Sequence, residues 1–144
     1  MTRLEIHVVG LPAPQGSKRH VGNGVMVESS KRVQPWRQDV KHAALAALPE
    51  GYEAPTGPVA IRVHFTLPRP RSHYGTGRNA ATIKPGAPEF HSSRPDVDKL
   101  LRSTLDALTA AGVMRDDSQV ACLEGIKWYG GTPGARITVM EVSA

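Results

Sequence analysis

The sequence predicts a single α+β domain, in which two helices pack on one small mixed β-sheet and a long basic loop lies between the helices. Apolar residues alternate along residues 59–67, which is the period of a half-buried strand. They recur every three or four residues along 97–111, which is the period of an amphipathic helix. The chain has 144 residues, the length of one ordinary domain. We therefore assign residues 1–144 to one domain.

Before the strand at 59–67, the chain predicts a first strand, a loop and a helix. Apolar and polar residues alternate over residues 4–8, as in a strand with one buried face. Prolines and glycines make residues 10–30 a loop, and the sequence Gly-Asn-Gly at 22–24 favours a short hairpin inside it. Apolar residues return at helical spacing over 35–48, where Pro35 suits the first turn and Pro49 ends the helix.

The second half of the chain predicts a loop, a helix and two strands. Residues 68–94 have no period and hold four prolines, three glycines, five basic residues and one acidic residue. A loop of this length without regular structure is usually functional or disordered. The helix over 97–111 ends at Gly112, which can adopt the left-handed cap. Strands over 119–129 and 135–142 complete the order β-α-β-loop-α-β-β.

The charge of the chain is divided unevenly between two regions. Residues 1–94 carry 13 basic and 6 acidic side chains, whereas residues 95–144 carry 5 basic and 7 acidic ones. Five of the six aspartates fall within residues 96–117. A basic body favours a polyanionic partner such as DNA, because Lys and Arg neutralise phosphates. The aspartates repel DNA unless a cation lies between them and the phosphates. The charge pattern therefore indicates a function beyond DNA binding alone.

Several classes of protein are excluded by composition. The N-terminal residues alternate and lack the apolar core of a signal peptide, and no stretch approaches the roughly 20 apolar residues of a membrane helix. Cys122 is the single cysteine and cannot form an internal disulfide. We expect a cytoplasmic protein without a membrane segment. We also expect Cys122 to be a small buried apolar residue of its strand.

The aspartates form a pattern that suits a divalent cation. Asp96 and Asp98 flank Val97 at the predicted start of the second helix. With Asp96 at the N-cap in an extended conformation, both carboxylates can converge beyond the helix end. Asp116 and Asp117 follow Gly112, where the chain turns back, and we expect them to approach the helix start again. Mg²⁺ takes oxygen ligands, commonly one or two carboxylates with waters and substrate phosphate.

Each of these aspartates also has an ordinary structural explanation. Asp96 can be only an N-cap, and Asp98 only a favourable charge in the first helical turn. Asp106 lies four residues after Arg102 and suits a helical ion pair with it. Asp116 and Asp117 suit an exposed turn. The functional interpretation gains from the coincidence of an Asp-x-Asp at a helix start, an Asp-Asp after that helix and a basic loop beside them.

The run from Arg94 to Val120 resembles the core of the RusA family of Holliday junction resolvases, whose approximate pattern is D-x-D-N-L-x-K-x-x-x-D-A-L…G…D-D-x-Q-V. Residues 10–19, Gly-Leu-Pro-Ala-Pro-Gln-Gly-Ser-Lys-Arg, are similar to the proline- and lysine-rich loop of phage-type members. The residues that match the longer pattern are Asp96, Asp98, Leu100, Asp106, Ala107, Leu108, Gly112, Asp116, Asp117, Gln119 and Val120.

This resemblance implies a RusA-like fold and a homodimeric, Mg²⁺-dependent endonuclease, with Mn²⁺ as a substitute, that cuts four-way DNA junctions by paired nicks. By position, Asp96, Asp98 and Asp117 correspond to the catalytic, metal-binding carboxylates of the family. The family's catalytic lysine falls on Arg102 and its asparagine on Lys99. Arg102 keeps the positive charge but presents a planar fork instead of a point charge. The resemblance implies no small-molecule cofactor, and it implies a bacterial or phage-infected cell as the setting.

Basic side chains of the two loops and the second helix are expected to bind flanking phosphates without reading sequence. The aromatic rings of Tyr74 and Phe90 can stack on bases at an opened junction or pack within the loop. The nucleic-acid-binding set predicted from the sequence consists of Lys18, Arg19, Arg69, Arg71, Arg78, Lys84, Arg94 and Lys99.

Two other functions stay open at the level of the sequence. The chain can be a non-catalytic DNA-binding dimer whose aspartates only cap and solvate the second helix. It can also be a metal-dependent nuclease for flaps, forks or other branched DNA. Asp117 separates the first alternative from an enzyme, because no capping role requires a carboxylate at that position.

Overall fold

A computed structural model describes residues 3–16, 18–20, 26–28 and 31–142 of the chain. It has the predicted α+β architecture and the predicted order of elements. Within the described ranges, neither helix has the length and apolarity needed to cross a membrane. The strands and helices are β1 (Arg3–Val9), β2 (Lys18–His20), β3 (Met26–Glu28), α1 (Val33–Ala47), β4 (Val59–Pro68), α2 (Val97–Ala110), β5 (Val120–Gly130) and β6 (Gly134–Glu141).

Four strands form one mixed sheet in the order β1-β6-β4-β5. β6 pairs antiparallel with both β1 and β4, whereas β4 and β5 run parallel. Every second residue of β1 and β4 is buried, because those side chains face the helices. α1 packs beside β1, and α2 packs beside β5 at the sheet edge. The hydrophobic core therefore lies between one face of the sheet and the two helices.

α1 and α2 are joined through Trp36, which is fully buried. The indole Nε1 of Trp36 donates a hydrogen bond of 3.2 Å to Oγ1 of Thr104 in α2. Its ring contacts that of Phe65 in β4, with centroids 6.4 Å apart. A single residue of α1 thus contacts both α2 and β4, and so joins the two helices to the sheet.

α2 follows the sequence prediction at both ends. Asp96 is the N-cap, and Gly112 has φ +81° just past the last turn, as a left-handed cap requires. The helix lies very close to β5 at Gly125, where an added Cβ would be 2.8 Å from both Val97 and Leu101. The absence of a side chain at Gly125 therefore allows the start of α2 to rest on β5.

The segment 68–94 is more structured than the sequence predicts. It contains two short 3₁₀ turns, Arg71–His73 and Gly77–Asn79, and a bridge between Tyr74 and Ile83. A second bridge joins Phe90 to Trp128 of β5, where the two rings stack with centroids 4.5 Å apart. The expectation of a structureless loop is wrong, because local turns and contacts with β5 replace the missing periodicity.

Two further expectations concern residues outside the main core. β2 and β3 pair antiparallel, which matches the predicted hairpin, although its Gly-Asn-Gly connection lies outside the described residues. Cys122 is exposed, so the prediction of a buried thiol is wrong. The reason is topological, since β5 is an edge strand and Cys122 faces away from the helices.

Candidate active site

Asp96 occupies the N-cap of α2 in the extended conformation that the sequence predicts, with φ −71° and ψ 140°. Its carboxylate makes no capping hydrogen bond within the described chain. Instead, Oδ2 of Asp96 lies 3.6 Å from Nζ of Lys99, one helical turn onward. More than half of the Asp96 side chain is exposed. A simple capping role therefore does not describe this carboxylate.

Asp98 lies in the first turn of α2 and is exposed. The positive end of the helix dipole stabilises negative charge at both positions. The structure thus brings Asp96 and Asp98 to the same end of one helix, where both carboxylates are accessible to a ligand.

The start of α2 opens into a cleft of about 640 Å³. The cleft lies between the N-terminal loop, the end of β4 and the chain that leads into α2. Its lining includes the basic residues Arg32, Arg94 and Lys99, together with His91 and Asp96. Positive side chains around a carboxylate favour an anionic ligand that approaches the carboxylate through a cation.

Lys127 is a residue of the site that the sequence analysis missed. From β5, its Nζ donates hydrogen bonds of 2.7 Å to the carbonyl oxygens of Ser93 and Pro95, directly before Asp96. Burial lowers the pKa of the Lys127 ammonium, while the Asp96 carboxylate acts in the opposite direction. A lysine on the helix-covered face of a strand is unusual. The place of Lys127 in the alternating pattern of β5 is therefore the sequence signal that could have identified this residue.

We expect Lys127→Met to weaken the start of α2. Methionine retains the apolar stem but removes both hydrogen bonds, so the free energy of unfolding should fall by about 1–2 kcal/mol. Urea denaturation measures this change, and Lys41→Met in α1 is the matched control. Equal stabilities of the Lys127→Met protein and the unaltered chain would contradict the role given to Lys127.

Asp117 lies at the other end of α2 from Asp96 and Asp98. Its Oδ1 accepts a hydrogen bond of 2.6 Å from Oγ1 of Thr109, in the last turn of the helix. Thr109 is twelve residues beyond Val97, which corresponds to roughly 18 Å along the helix axis. Within one chain, the expectation that the three carboxylates gather at one helix start is therefore wrong.

The separation has a topological cause. After Gly112 the chain enters β5, which runs antiparallel to α2, so only the far end of β5 returns to the start of the helix. Asp117 precedes β5 and stays beside the last turn of α2, whereas Lys127 reaches Pro95. The sequence pattern does not show how many residues of β5 the chain needs to run back along α2 to the first turn of that helix.

Asp116 and Gln119 build the turn that holds Asp117. The Asp116 carboxylate accepts a hydrogen bond of 2.9 Å from the Ser118 backbone. Hydrogen bonds from the side chain and the backbone of Ser118 lower the pKa of that carboxyl. The side chain of Gln119 accepts from the Asp116 backbone and donates to the carbonyls of Pro55 and Gly57 before β4. These two members of the motif therefore have a structural role in the described chain.

Arg102 and Asp106 do not form the predicted ion pair. Asp106 Oδ2 accepts hydrogen bonds from Arg37 of α1 at 3.0 Å and from Gln15 at 2.6 Å. The Arg102 guanidinium lies against the backbone of Gly16, where an added Cβ would be 2.5 Å from Nη1. Arg102 is exposed one turn beyond Asp98, so its charge stays on the accessible side of the helix.

The predicted basic residues have different surroundings. Arg69 donates a hydrogen bond of 2.7 Å to the Pro88 carbonyl and lies 5.0 Å from the centroid of the Tyr129 ring, so it holds the loop together. Lys18 and Arg19 lie in β2, of which the structure describes only the backbone. Four other members of the set are exposed on the loop and at its end: Arg71, Arg78, Lys84 and Arg94.

The fit of the site to a divalent cation depends on how many protein ligands the cation needs. The described ranges contain no group of three or more His, Cys, Asp or Glu side chains placed to hold a metal ion. Mg²⁺, however, is commonly bound by one or two carboxylates and completes its shell with water and phosphate. Asp96 and Asp98 supply two exposed carboxylates at one helix start, which is the number that this smaller requirement names.

Comparison with known proteins shows the family of this chain. Residues 9–140 match the family described as "Endodeoxyribonuclease RusA". The chain is also 30% identical over 146 residues to "Uncharacterized protein YqaN" of Bacillus subtilis (strain 168), with all of both chains covered. The family match includes the start of α2, the Asp116-Asp117 turn and Lys127. The chain therefore belongs to the RusA family of endodeoxyribonucleases, which hydrolyse DNA at Holliday junctions.

Proposed function

We propose that this chain is a Mg²⁺-dependent enzyme that resolves four-way DNA junctions by paired nicks, acting as a homodimer in recombination, repair or phage DNA processing. The observation that carries the proposal is the pair of exposed carboxylates at the start of α2. Asp96 is the N-cap without capping the helix, and it lines a basic cleft of about 640 Å³. A carboxylate in that position suits a cation that joins protein to phosphate.

Asp96 and Asp98 are the residues of this chain that would hold Mg²⁺ at the start of α2. The bound ion would activate a water molecule and neutralise the charge that develops on the scissile phosphate. Mn²⁺ prefers the same oxygen ligands and would substitute for it. Lys127 keeps the backbone before Asp96 in place through its two hydrogen bonds, and so positions that carboxylate.

Basic and aromatic side chains around the cleft suit the binding of a DNA strand. Arg94 and Lys99 border the site, so they bind phosphates next to the cleavage position. Arg71 and Lys84 line a second concave surface of about 630 Å³ on the basic loop, which extends the track for the backbone. Phe90 is 55% exposed while it stacks on Trp128, and its outer face can receive a base.

The proposal is tested with a labelled four-way junction and a linear duplex that contains the same sequences. Purified protein is incubated with each DNA in Mg²⁺, in Mn²⁺ and in EDTA, and the products are separated on a denaturing gel. We expect nicks at symmetric positions in two opposite strands of the junction, in either metal and not in EDTA. The linear duplex should remain uncut.

Other outcomes of this assay identify the alternatives. A folded, metal-replete protein that binds the junction without nicking it would be a DNA-binding dimer instead of an enzyme. Equal cutting of flaps, forks and four-way junctions would indicate a nuclease for branched DNA in general. Cleavage that persists unchanged in EDTA would contradict the role proposed for a divalent cation.

A further inference from the structure

One wall of the active-site cleft is apolar. Five leucine and proline side chains from the N-terminal loop and the end of β4 line it: Leu11, Pro12, Pro14, Leu67 and Pro68. The second concave surface, on the basic loop, has no leucine or proline among the described residues that line it. Phosphates are bound by charged and polar groups, so a track for the DNA backbone does not require such a wall. The active-site cleft therefore suits an apolar part of a ligand as well as an anion.

Hydrogen bonds to α2 hold the apolar wall in place before any ligand binds. The Ser103 hydroxyl donates a hydrogen bond of 2.7 Å to the Ala13 carbonyl oxygen, and both residues are buried. The backbone N–H of Gln15 donates one of 3.0 Å to the Lys99 carbonyl oxygen in the first turn of the helix. Pockets that are formed in advance, with apolar walls and a few polar groups, are typical of sites for small organic groups.

Another part of the lining is polar and lies at the start of α2. Arg94, Asp96 and Lys99 belong to it, beside the place where we propose a metal-bound phosphate. His91 lines the same cleft, and its backbone N–H donates a hydrogen bond of 2.9 Å to the Lys127 carbonyl oxygen. Burial, and then the charge of Lys127, lowers the pKa of the His91 imidazole, so the ring is neutral at pH 7. A neutral imidazole has one donor and one acceptor, which suits the polar edge of a nucleobase.

We infer that this cleft binds the base of the nucleotide next to the scissile phosphate, after that base has left its stack in the DNA. The inference rests on the proposed function, because it names the part of the junction that the same site recognises. The apolar wall contacts the faces of the base, and His91 contacts its polar edge. The phosphate of the nucleotide stays at the polar side of the cleft, beside Asp96.

The chemistry of a nucleotide matches the two sides of the cleft. A nucleotide joins an anionic phosphate to a flat base with apolar faces through one sugar, so the two groups reach neighbouring parts of one site. Extruded bases are held between apolar or aromatic side chains and are read by hydrogen bonds to their Watson–Crick edge. In a stacked duplex the bases point away from a protein at the backbone. Only an unstacked base can therefore enter the cleft.

A base pocket gives the enzyme a physical reason to prefer junctions. Extruding a base costs free energy, and the cost is least for a base that is mismatched or already unpaired. In an open junction, a base at the branch point is stacked on one side only, whereas a base in a linear duplex is stacked on both sides. Phosphates are available to the basic loop in either DNA. The pocket, and not the basic loop, therefore discriminates between them.

The fluorescence of 2-aminopurine tests where the base goes, because this base analogue is quenched within a stack and bright outside it. It is placed in turn on each side of the cleavage position mapped in the nicking assay. The Asp98→Asn protein is then added, so that the junction stays largely uncut. We expect severalfold brightening on one side of the cleavage position and no change farther along the same arm. Unchanged fluorescence on both sides, with the junction fully bound, would overturn the inference.

Leu11→Ser makes the apolar wall polar without changing any charge. We expect it to lower junction cleavage about 10-fold and to abolish the brightening, while junction binding keeps the same dependence on salt. Pro68→Ser, at an exposed residue of the same wall, should act in the same direction and replaces the first variant if that protein does not fold. Leu45→Ser, at an exposed leucine of α1, is the matched control and should change none of these. Brightening that persists in both wall variants would show that the base lies elsewhere.

A mismatched duplex tests the pocket without altering the protein. One mismatch at the brightened position lowers the cost of extruding that base, so we expect this linear duplex to be nicked there while the matched duplex remains uncut. A mismatched duplex that also remains uncut would contradict the inference. If the unaltered protein nicks junctions but shows neither brightening nor nicking at the mismatch, the pocket is wrong and the proposed function stands. If it nicks no junction in either metal, the proposed function fails and the pocket fails with it.

Discussion

Replacement of Asp98 by Asn should reduce junction cleavage by about 100- to 1000-fold, because it removes a negative ligand where several kcal/mol of charge stabilisation is required. The side chain is exposed in the first turn of α2, so the fold does not depend on it. Junction binding in EDTA should be equal or tighter, since one charge that repels phosphate has been removed. Single-turnover rates in saturating Mg²⁺ and binding titrations measure the two effects separately.

Glu53→Gln is the matched control for this substitution. Glu53 is an exposed acid in the loop after α1, outside the residues that line the cleft, and its replacement should leave cleavage unchanged. Asp98→Asn protein that cuts at the unaltered rate would remove Asp98 from the site. A parallel loss of folding, visible as a lowered melting temperature, would instead make Asp98 a structural residue.

Replacement of Trp36 by Ala should have the largest effect on stability, about 3–5 kcal/mol of the free energy of unfolding. The side chain is fully buried and contacts both Phe65 of the sheet and Thr104 of α2. Its removal leaves a cavity between the helices and removes the indole N–H that bonds to the Thr104 hydroxyl, which keeps only its own bond to the Leu100 carbonyl. Since a domain of this size is stable by about 5–15 kcal/mol in total, urea denaturation should show a large shift of the midpoint.

Two further variants separate packing from hydrogen bonding. Thr104→Val keeps the shape of the side chain but leaves the indole N–H of Trp36 without its acceptor, which should lower the stability by about 1–3 kcal/mol. Leu45→Ala, on the same helix as Trp36 and 49% exposed, should change the stability by less than about 1 kcal/mol. A Trp36→Ala effect as small as that of Leu45→Ala would contradict the central role of Trp36.

Local rules were sufficient to predict the main strands and helices and the acidic start of α2. Alternation of apolar residues predicted β1 and β4, and helical spacing with Pro95 before it and Gly112 after it predicted α2 almost to the residue. The N-cap position of Asp96 followed from the same pattern. These features depend on residues close in the chain, which determine whether a segment presents one apolar face as a strand or as a helix.

The sequence by itself thus determined the fold class, the limits of α2 and the two acidic residues at its start. The tertiary structure alone decided that Asp117 stands a helix length away from Asp98, that Lys127 hydrogen-bonds to the backbone before Asp96, and that Cys122 is exposed on the edge strand β5. These three results depend on the order and direction of strands in the sheet. The physical reason is that strand pairing joins residues far apart in the chain. The apolar pattern within any one segment therefore does not show which strands pair or in which direction they run.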